Sequence, residues 1–333
     1  MRSTTRLAAS NLATGVALTT LAAMAAVTLV SPSAWALSSA VRETETAPGT
    51  STVQPGFHEH RLTLGFDLVL GFGQSPVAIL QPPPSGSTRP FPVFVQRSVF
   101  VESFMLFAGV DVGRGFDVSL RAPYTFFSFK PDTVREGGAG LGNLELRGAY
   151  RPKTTPFPLT VSLAFVLPTA EGAAPSSIGP SSDQNDLNRH VANRVGSSTR
   201  GLEDDELYQR RRFGVVPRVS ADLRFDALTV TPWLKIATLV DTSGSADSKL
   251  WGAMVVGTRV AYRLLEVVDL GFRAWAQVPL KGADDPKATV VLEPELRFDL
   301  GRFTPYVGVL IPLAGPLTDP RFTGVRIGFT AQP

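Results

Sequence analysis

The chain alternates apolar and polar residues over many short segments, with the two-residue period of a β-strand. In the stretch GLGNLELRGAYRP, residues 140–152, the polar Asn143, Glu145 and Arg147 alternate with leucines and small residues. A strand with this pattern has one charged and one apolar face. It fits a soluble sheet with its charges in water, or a membrane barrel with its charges in the lumen and its leucines in lipid.

Twelve segments show this alternation, and turn clusters rich in glycine and proline separate them. Most of them have the length of a tilted strand that crosses a bilayer. The segments lie near 58–72, 99–112, 116–130, 143–151, 158–169, 213–225, 228–241, 249–263, 268–280, 289–300, 303–314 and 321–330.

The connections between these segments alternate in length. Those after even-numbered segments are short, whereas those after odd-numbered ones tend to be longer, above all 73–98 and 170–212. This alternation is typical of barrels with tight periplasmic turns and long outside loops. The predicted fold is therefore all-β: a transmembrane antiparallel up-and-down β-barrel of about twelve strands, of the outer-membrane type. A periplasmic or secreted β-protein is the alternative.

The apolar faces of the segments favour the membrane alternative. A charge on the lipid face near the midplane costs about 2–4 kcal/mol, so a barrel strand keeps one face free of charge. Segments 213–225 and 289–300 do so. Segment 99–112 is ambiguous, because both of its faces are mostly apolar, with Glu102 near one end and Asp111 near the other. We expect the bacterial outer membrane as the location.

The N-terminus has the pattern of a signal peptide. Arg2 and Arg6 precede an apolar run over 12–30, and Ala34 and Ala36 form the A-x-A pattern of a cleavage site. We expect cleavage after Ala36, with a retained membrane anchor as the alternative. The predicted organisation is a signal peptide over 1–36, a flexible periplasmic lead over 37–56 and the barrel over 57–333, with long outside loops at 73–98 and 170–212.

Composition narrows the chemistry. The 333 residues include no cysteine, which excludes disulfides and thiolate metal sites, and three histidines leave little material for a histidine metal cluster. The 32 basic and 29 acidic residues nearly balance, so charge gives no argument for nucleic-acid binding. We expect no metal and no cofactor.

The stretch 137–172 resembles a known family. GAGLGNLELRGAYRP followed by PLTVSLAFVLPTAEG is similar to the paired motif of the outer-membrane proteins grouped as the putative meta-pathway phenol-degradation, or transporter-like, family. Asn143 stands where an aspartate is usual in that motif, and Ala170 stands where a glycine is usual. The resemblance implies a small outer-membrane barrel with a role in the uptake of small, often aromatic or hydrophobic, compounds.

The polar phase of the predicted strands supplies candidate lumen residues, which either line an open path or staple the lumen shut. The two signs nearly balance over the whole polar phase, which also includes Arg61, Asp67, Asp117, Arg263, Asp269, Asp299 and Arg326, and this balance argues against a strong anion or cation filter. The candidates are Arg121, Glu145, Arg147, Arg218, Asp222, Arg224, Lys235, Arg259, Arg273, Glu293, Glu295 and Arg297.

Two predicted outside loops have distinct compositions. In 73–98 the apolar runs 77–80 and 91–95 flank a proline-rich turn, so Phe91 and Phe94 are candidates for capturing a hydrophobic solute; extension of the neighbouring strands is the alternative. In 170–212 the acidic run 203–206 could hold a divalent cation and the arginines 210–212 could contact lipid phosphates, but a solvated charged loop is the preferred interpretation.

The predicted function is an outer-membrane channel or transporter-like barrel for small hydrophobic or aromatic compounds, without enzymatic activity. One alternative is a lipid-acting enzyme, for which His58 and His60 offer the histidine but no nucleophile motif is near. The other is a structural or surface-interaction barrel with a sealed lumen. The expected partners are outer-membrane lipid and lipopolysaccharide, the barrel-assembly machinery and a small hydrophobic solute, but no nucleic acid.

Overall fold

The computed structural model describes residues 61–81, 85, 91–129, 136–152, 158–171, 183–243, 250–282, 287–318 and 322–333. The predicted signal peptide and periplasmic lead, and with them His58 and His60, lie outside these residues and stay predictions.

The described residues form strands β1 to β14, one α-helix and one 3-10 turn. The strands are β1 (Leu62–Gln81), β2 (Phe91–Gly113), β3 (Phe116–Phe129), β4 (Glu136–Leu141), β5 (Leu144–Tyr150), β6 (Leu159–Leu167), β7 (Arg212–Ala221), β8 (Leu223–Phe225), β9 (Leu228–Asp241), β10 (Leu250–Leu265), β11 (Val268–Lys281), β12 (Thr289–Phe298), β13 (Phe303–Ala314) and β14 (Thr323–Ala331). Helix α1 spans Gln184–Thr199, and the 3-10 turn spans Asp205–Tyr208.

The strands close into one antiparallel barrel, in which β1 pairs with both β2 and β14. Strands β4 and β5 both pair with β3 and are separated at Gly142 and Asn143, so they are two parts of one wall strand. Strands β7 and β8 both pair with β9 and are separated at Asp222. The barrel therefore has twelve wall strands, and the predicted fold class is confirmed.

Strands β1 and β2 rise above the rest of the wall. The pairing of β1 with β14 ends at Phe72, and that of β2 with β3 ends at Val99. Beyond these residues β1 and β2 continue to pair with each other as far as Gln81 and Phe91. Most of the predicted loop 73–98 is therefore a β-hairpin, and the alternative of strand extension is correct.

The outer face of the barrel is apolar. Large side chains on every side of the wall are exposed, among them Leu106, Phe165 and Leu270. Since paired residues share a face, Glu102 lies outward between Leu70 and Phe126, three positions below the last β2–β3 pair. A charge costs less near the end of a membrane strand than at the midplane. Because a closed barrel with this apolar face suits lipid, the protein is a β-barrel of the bacterial outer membrane.

No helix among the described residues is long and apolar enough to cross a membrane.

Residues 183–211, here called the plug, lie inside the barrel. They contain α1 and the 3-10 turn and follow β6, whose outer end leads into them, before the chain returns to the wall at β7. Leu187, Val195 and Leu207 in this segment are at most 1% exposed. The prediction of a solvated outside loop over 170–212 is therefore wrong for the described part, because the segment folds into the lumen and buries its apolar side chains there.

Candidate functional site: the lumen and its plug

Helix α1 packs against the upper wall of the lumen through one apolar face. Asp183 caps its N-terminus by accepting a hydrogen bond from the Asp186 backbone N–H at 2.8 Å. Leu187, Val191 and Val195 recur every four residues, so they lie on one side of the helix. Val191 and Val195 join a buried cluster with wall residues of β1, β2 and β3, namely Val69, Val77, Val99, Val101, Phe127 and Phe129.

The wall leaves room for the helix where it comes closest. A Cβ atom placed on Gly71 of β1 would lie 2.4 Å from the Thr199 side chain, and one on Gly140 of β4 would lie 3.1 Å from the Ala192 Cβ. Only glycine therefore accepts this approach at Gly71 without a shift. The fit of wall to helix indicates that the closed arrangement is a native state of the barrel.

The turn after α1 packs against the opposite wall. Leu207 and Tyr208 form a second buried cluster with residues of β2, β6, β7, β9 and β10, including Met105 and Trp251. The Tyr208 hydroxyl also lies 2.9 Å from the Ser103 hydroxyl of β2. The plug thus contacts the wall on both sides of the lumen.

Asn143 ties the plug to the break between β4 and β5. It is fully buried. Its Nδ2 donates to the backbone carbonyl of Gln209 at 2.6 Å, and its Oδ1 accepts from the Ala170 backbone N–H at 2.9 Å. An aspartate, usual at this position of the resembled motif, could accept but not donate. The amide therefore suits this chain's plug contact.

An ion-pair network joins the plug to the wall at the level of residues 203–206, here called the acidic turn. Glu203 pairs with Arg273 of β11 at 2.5 Å and lies 3.7 Å from Arg326 of β14. Each of these arginines also contacts Glu293 of β12 at 3.0 Å. One plug carboxylate and one wall carboxylate thus share two wall cations.

The neighbouring acidic residues contact the other side of the barrel. Asp204 lies 3.0 Å from Arg121 of β3 and 3.6 Å from Lys235 of β9. Glu206 pairs with the same lysine at 2.8 Å. Arg121 holds Glu145 of β5 in a two-point contact, with distances of 2.9 and 2.6 Å. The acidic turn therefore bridges strands that lie far apart around the barrel.

A cation of the plug completes the network. Arg200, which is 2% exposed, donates to the Asp67 carboxylate of β1 and to the Ser103 carbonyl. Asp205 accepts from the Ser197 hydroxyl at 2.6 Å, within the plug. The plug thus offers the wall three paired carboxylates and one arginine.

Burial and neighbouring charge move the pKa values of the acidic turn in opposite directions. Burial, together with the nearby Asp204 and Glu145, raises the pKa of Glu206 to about 7 despite its contact with Lys235. Burial also acts to raise the pKa of Asp204, but Arg121 and Lys235 hold it well below its ordinary value. Burial also raises the pKa of Asp205, against hydrogen bonds from Ser197 and Gln277, so Asp205 and Glu206 are the groups of the turn that titrate above their ordinary range.

Further basic side chains lie beside this network or on its periplasmic side. Arg147 of β5 and Arg218 of β7 are close enough to interact electrostatically, and neither forms an ion pair among the described residues. Arg218 and Arg273 lie over the Trp233 ring at 5.7 and 5.6 Å, and Arg273 also lies over Trp275. These contacts join cationic and aromatic groups in one part of the lumen.

The structure places ten of the twelve candidate lumen residues on inward positions of the wall, with Arg297 near the periplasmic end of β12. Asp222 and Arg224 instead lie exposed near the periplasmic turn that joins β8 to β9. Arg259 pairs with Glu295, and Arg297 lies 3.8 Å from the same carboxylate.

The candidate capture residues are not in a loop. Phe91 begins β2, and Phe94 pairs with Ala78 in the extended hairpin. Phe94 is 44% exposed and lies on the outward face, whereas Val77 of the same hairpin is buried against the plug. A capture role for Phe91 and Phe94 stays a prediction.

The acidic run is not arranged for a divalent cation. No group of three or more histidine, aspartate or glutamate side chains that could hold a metal occurs in the described ranges. Glu203, Asp204 and Glu206 contact basic side chains instead. Sequence reasoning missed this pairing, and also Arg200 and Tyr208; the spacing of Leu187, Val191 and Val195 is the signal that could have shown a packed helix.

No family model and no curated protein matches the chain. Among solved structures, it is similar to an outer membrane channel from Pseudomonas putida F1, at 12% identity and a TM-score of 0.48 over 86% of this chain and 99% of that one. It is also similar to the NanC porin, at 10% identity and a TM-score of 0.42 over 80% of this chain and 100% of that one. For the CymD monoaromatic hydrocarbon channel the identity is 10% and the TM-score 0.41, over 82% of this chain and 88% of that one. Likenesses this low carry no argument about function, and membership of the phenol-degradation family stays a prediction.

Proposed function

We propose that the protein is an outer-membrane channel that the plug closes, and that it conducts small solutes when the plug leaves its seat. The observation that carries this proposal is what fills the lumen. One continuous segment, residues 183–211, occupies the space between opposite walls, while wall positions facing it, such as Gly71 and Gly140, carry no side chain. A barrel of twelve strands is wide enough to hold more than its own side chains.

The proposed solutes are small compounds with a hydrophobic or aromatic part. The upper lumen supports this choice, because its wall behind α1 is apolar, with Val77, Val101 and Phe127 among the buried residues. A solute entering past a displaced helix would meet this surface first. Below it lie the rings of Trp233 and Trp275.

A sealed structural barrel is the second candidate. It is favoured by the two apolar clusters of the plug, because burying a Val or Leu side chain stabilises the closed state by about 1.5–3 kcal/mol each. The two candidates differ in whether the plug ever leaves.

A disulfide lock separates them. The chain has no cysteine, so Gly71→Cys with Thr199→Cys introduces one chosen pair, whose Cβ atoms would lie about 3.0 Å apart. That spacing needs a small adjustment to reach the usual disulfide range of about 3.5–4.5 Å. If the plug is a gate, the oxidised protein passes no current in a planar bilayer, and reduction restores current.

Thr199→Cys alone is the matched control, since it cannot form the lock and leaves Gly71 free of a Cβ atom. It should conduct as the wild type does under oxidising conditions, whereas Gly71→Cys alone places a Cβ 2.4 Å from the Thr199 side chain and should loosen the plug. Equal conductance of the oxidised and reduced double variant would show a path that bypasses the plug. Absence of current from the wild type and from every reduced variant would favour the sealed barrel.

A further inference from the structure

The wall of the middle lumen carries more positive than negative groups. Its basic side chains are Arg121, Arg147, Arg218, Lys235, Arg259, Arg273, Arg297 and Arg326, and its carboxylates are Asp67, Glu145, Asp269, Glu293 and Glu295. The near balance of sign expected over the whole polar phase therefore does not hold at this level of the lumen, here called the constriction. Without the carboxylates of the acidic turn, the constriction is cationic.

The acidic turn occupies this constriction as a ligand would. Its Glu203 carboxylate meets Arg273, Asp204 meets Arg121, and both Asp204 and Glu206 meet Lys235. All three carboxylates are at most 8% exposed. These are charge-assisted contacts from cations on three separate strands, the chemistry by which proteins bind a soluble carboxylate.

We propose that the acidic turn is an internal ligand of an anion-binding constriction, and that the open channel binds and passes small aromatic carboxylates at the same cations. The proposal rests on the proposed function, because a solute reaches these cations only when the plug has left. The proposal narrows the hydrophobic or aromatic solutes proposed above to those that carry a negative charge.

The aromatic part of the solute follows from the surroundings of the cations. Trp233 and Trp275 lie beside Arg273, with the guanidinium 5.6 and 5.4 Å from the two ring centres. Arg218, which forms no ion pair among the described residues, also lies over the Trp233 ring, 5.7 Å from its centre. A carboxylate on the arginines would place its ring against these indoles.

The first experiment measures ion selectivity. Under a KCl gradient in a planar bilayer, the wild-type channel should show a reversal potential of the sign expected for chloride. Arg147→Gln with Arg218→Gln should reduce the chloride-to-potassium permeability ratio by about half or more, because it removes two cations that form no ion pair among the described residues. Arg302→Gln is the matched control, since Arg302 lies exposed in a periplasmic turn, and it should leave the ratio unchanged.

The second experiment measures competition with the acidic turn and needs no current. Thr199 is 2% exposed, and its hydroxyl has no hydrogen-bond partner in the described residues, so Thr199→Cys reports exposure of the plug by its alkylation rate. Benzoate at about ten times its dissociation constant should speed alkylation by about tenfold, because it binds the released state only. Benzyl alcohol and benzylammonium, which share the ring but not the negative charge, should not.

The two experiments separate failure of the inference from failure of the proposed function. Current without anion selectivity, together with equal effects of the three aromatic probes, overturns the carboxylate site and leaves the channel intact. Absence of any current overturns the channel, and the benzoate effect on alkylation then decides alone whether the cations form a carboxylate site. Anion selectivity with a benzoate-specific effect supports both.

Discussion

Helix α1 and the acidic turn are consecutive parts of the plug, yet different forces hold them in the lumen. The helix buries Val191 and Val195 against apolar wall residues, whereas the turn places Glu203, Asp204 and Glu206 against wall cations. Apolar groups have no charge that salt can screen or pH can change, whereas ion pairs respond to both. The comparison indicates that the turn is the part of the plug that solution conditions or a charged solute can release.

The largest expected effect comes from removing a cation under the acidic turn. Lys235→Met leaves Asp204 without one of its two cations and Glu206 without its paired one. Breaking a buried pair from one side costs about 3–5 kcal/mol. We expect alkylation of the Thr199→Cys reporter to rise by roughly a hundredfold or more.

The control for this variant removes both partners. Lys235→Met with Glu206→Leu replaces the pair by apolar groups of similar volume, which often restores stability. The double variant should therefore react more slowly than Lys235→Met alone. A rise of less than about tenfold in the single variant would mean that α1, and not the turn, holds the plug.

The next effect in size is a dependence on pH. Because the pKa of Glu206 in the seated plug is about 7 against an ordinary 4.5, the seated state binds a proton more tightly than the released one. Raising the pH from about 4.5 to 7 should therefore ease release, by about 2–3 kcal/mol at most. Alkylation of Thr199→Cys, normalised to the unfolded chain at each pH, measures it.

Glu206→Gln is the matched variant for the pH experiment, because it cannot titrate. Its normalised alkylation rate should depend on pH less steeply over the same window, because Asp205, whose pKa burial also raises, still titrates. The lowered pKa values of Glu203 and Asp204 act below pH 4.5, where their protonation should also ease release. A wild-type rate that falls between pH 4.5 and 7 would contradict the assignment to Glu206.

The wall was predictable from sequence to a degree that the plug was not. The predicted segments 228–241 and 303–314 coincide with β9 and β13, because lipid on one side and charge on the other enforce a strict two-residue period. The loop between β1 and β2 was predicted to begin too early and to end too late, because an apolar residue such as Val77 is as common in a strand as in an apolar loop.

The plug could not be predicted from composition, because a polar segment that folds into a charged lumen has the same composition as a polar segment exposed to water. Glu203 and Asp204 acquire partners only when barrel closure brings Arg121 and Arg273 to the same level. The cations themselves were predicted on the inward face. Nothing in the local sequence indicated that a separate segment would contact these cations, or at which height in the lumen it would do so.

A smaller effect is expected from trimming the apolar face of α1. Val191→Ala removes buried methyl groups from a side chain that is 2% exposed, at a cost of about 2 kcal/mol. Alkylation of Thr199→Cys should rise by roughly thirtyfold, and by the same factor at low and high salt. Val110→Ala, on the exposed outer face, should change nothing. A salt-dependent effect of Val191→Ala would show that helix and turn are not separable.

The smallest effect is expected at an ion pair of α1 itself. Arg189 lies 3.0 Å from Glu171 and 3.7 Å from Asp186, with side chains that are 44–70% exposed. Exposed pairs contribute about 0–1 kcal/mol, because water screens the charges that burial leaves unscreened at Lys235. Arg189→Ala should therefore raise the reporter rate by less than about fivefold, and the rise should disappear at high salt. If Arg189→Ala raised the rate as much as Lys235→Met does, burial would not distinguish the ion pairs of the acidic turn. The net charge of the whole plug, and not the acidic turn, would then control its release.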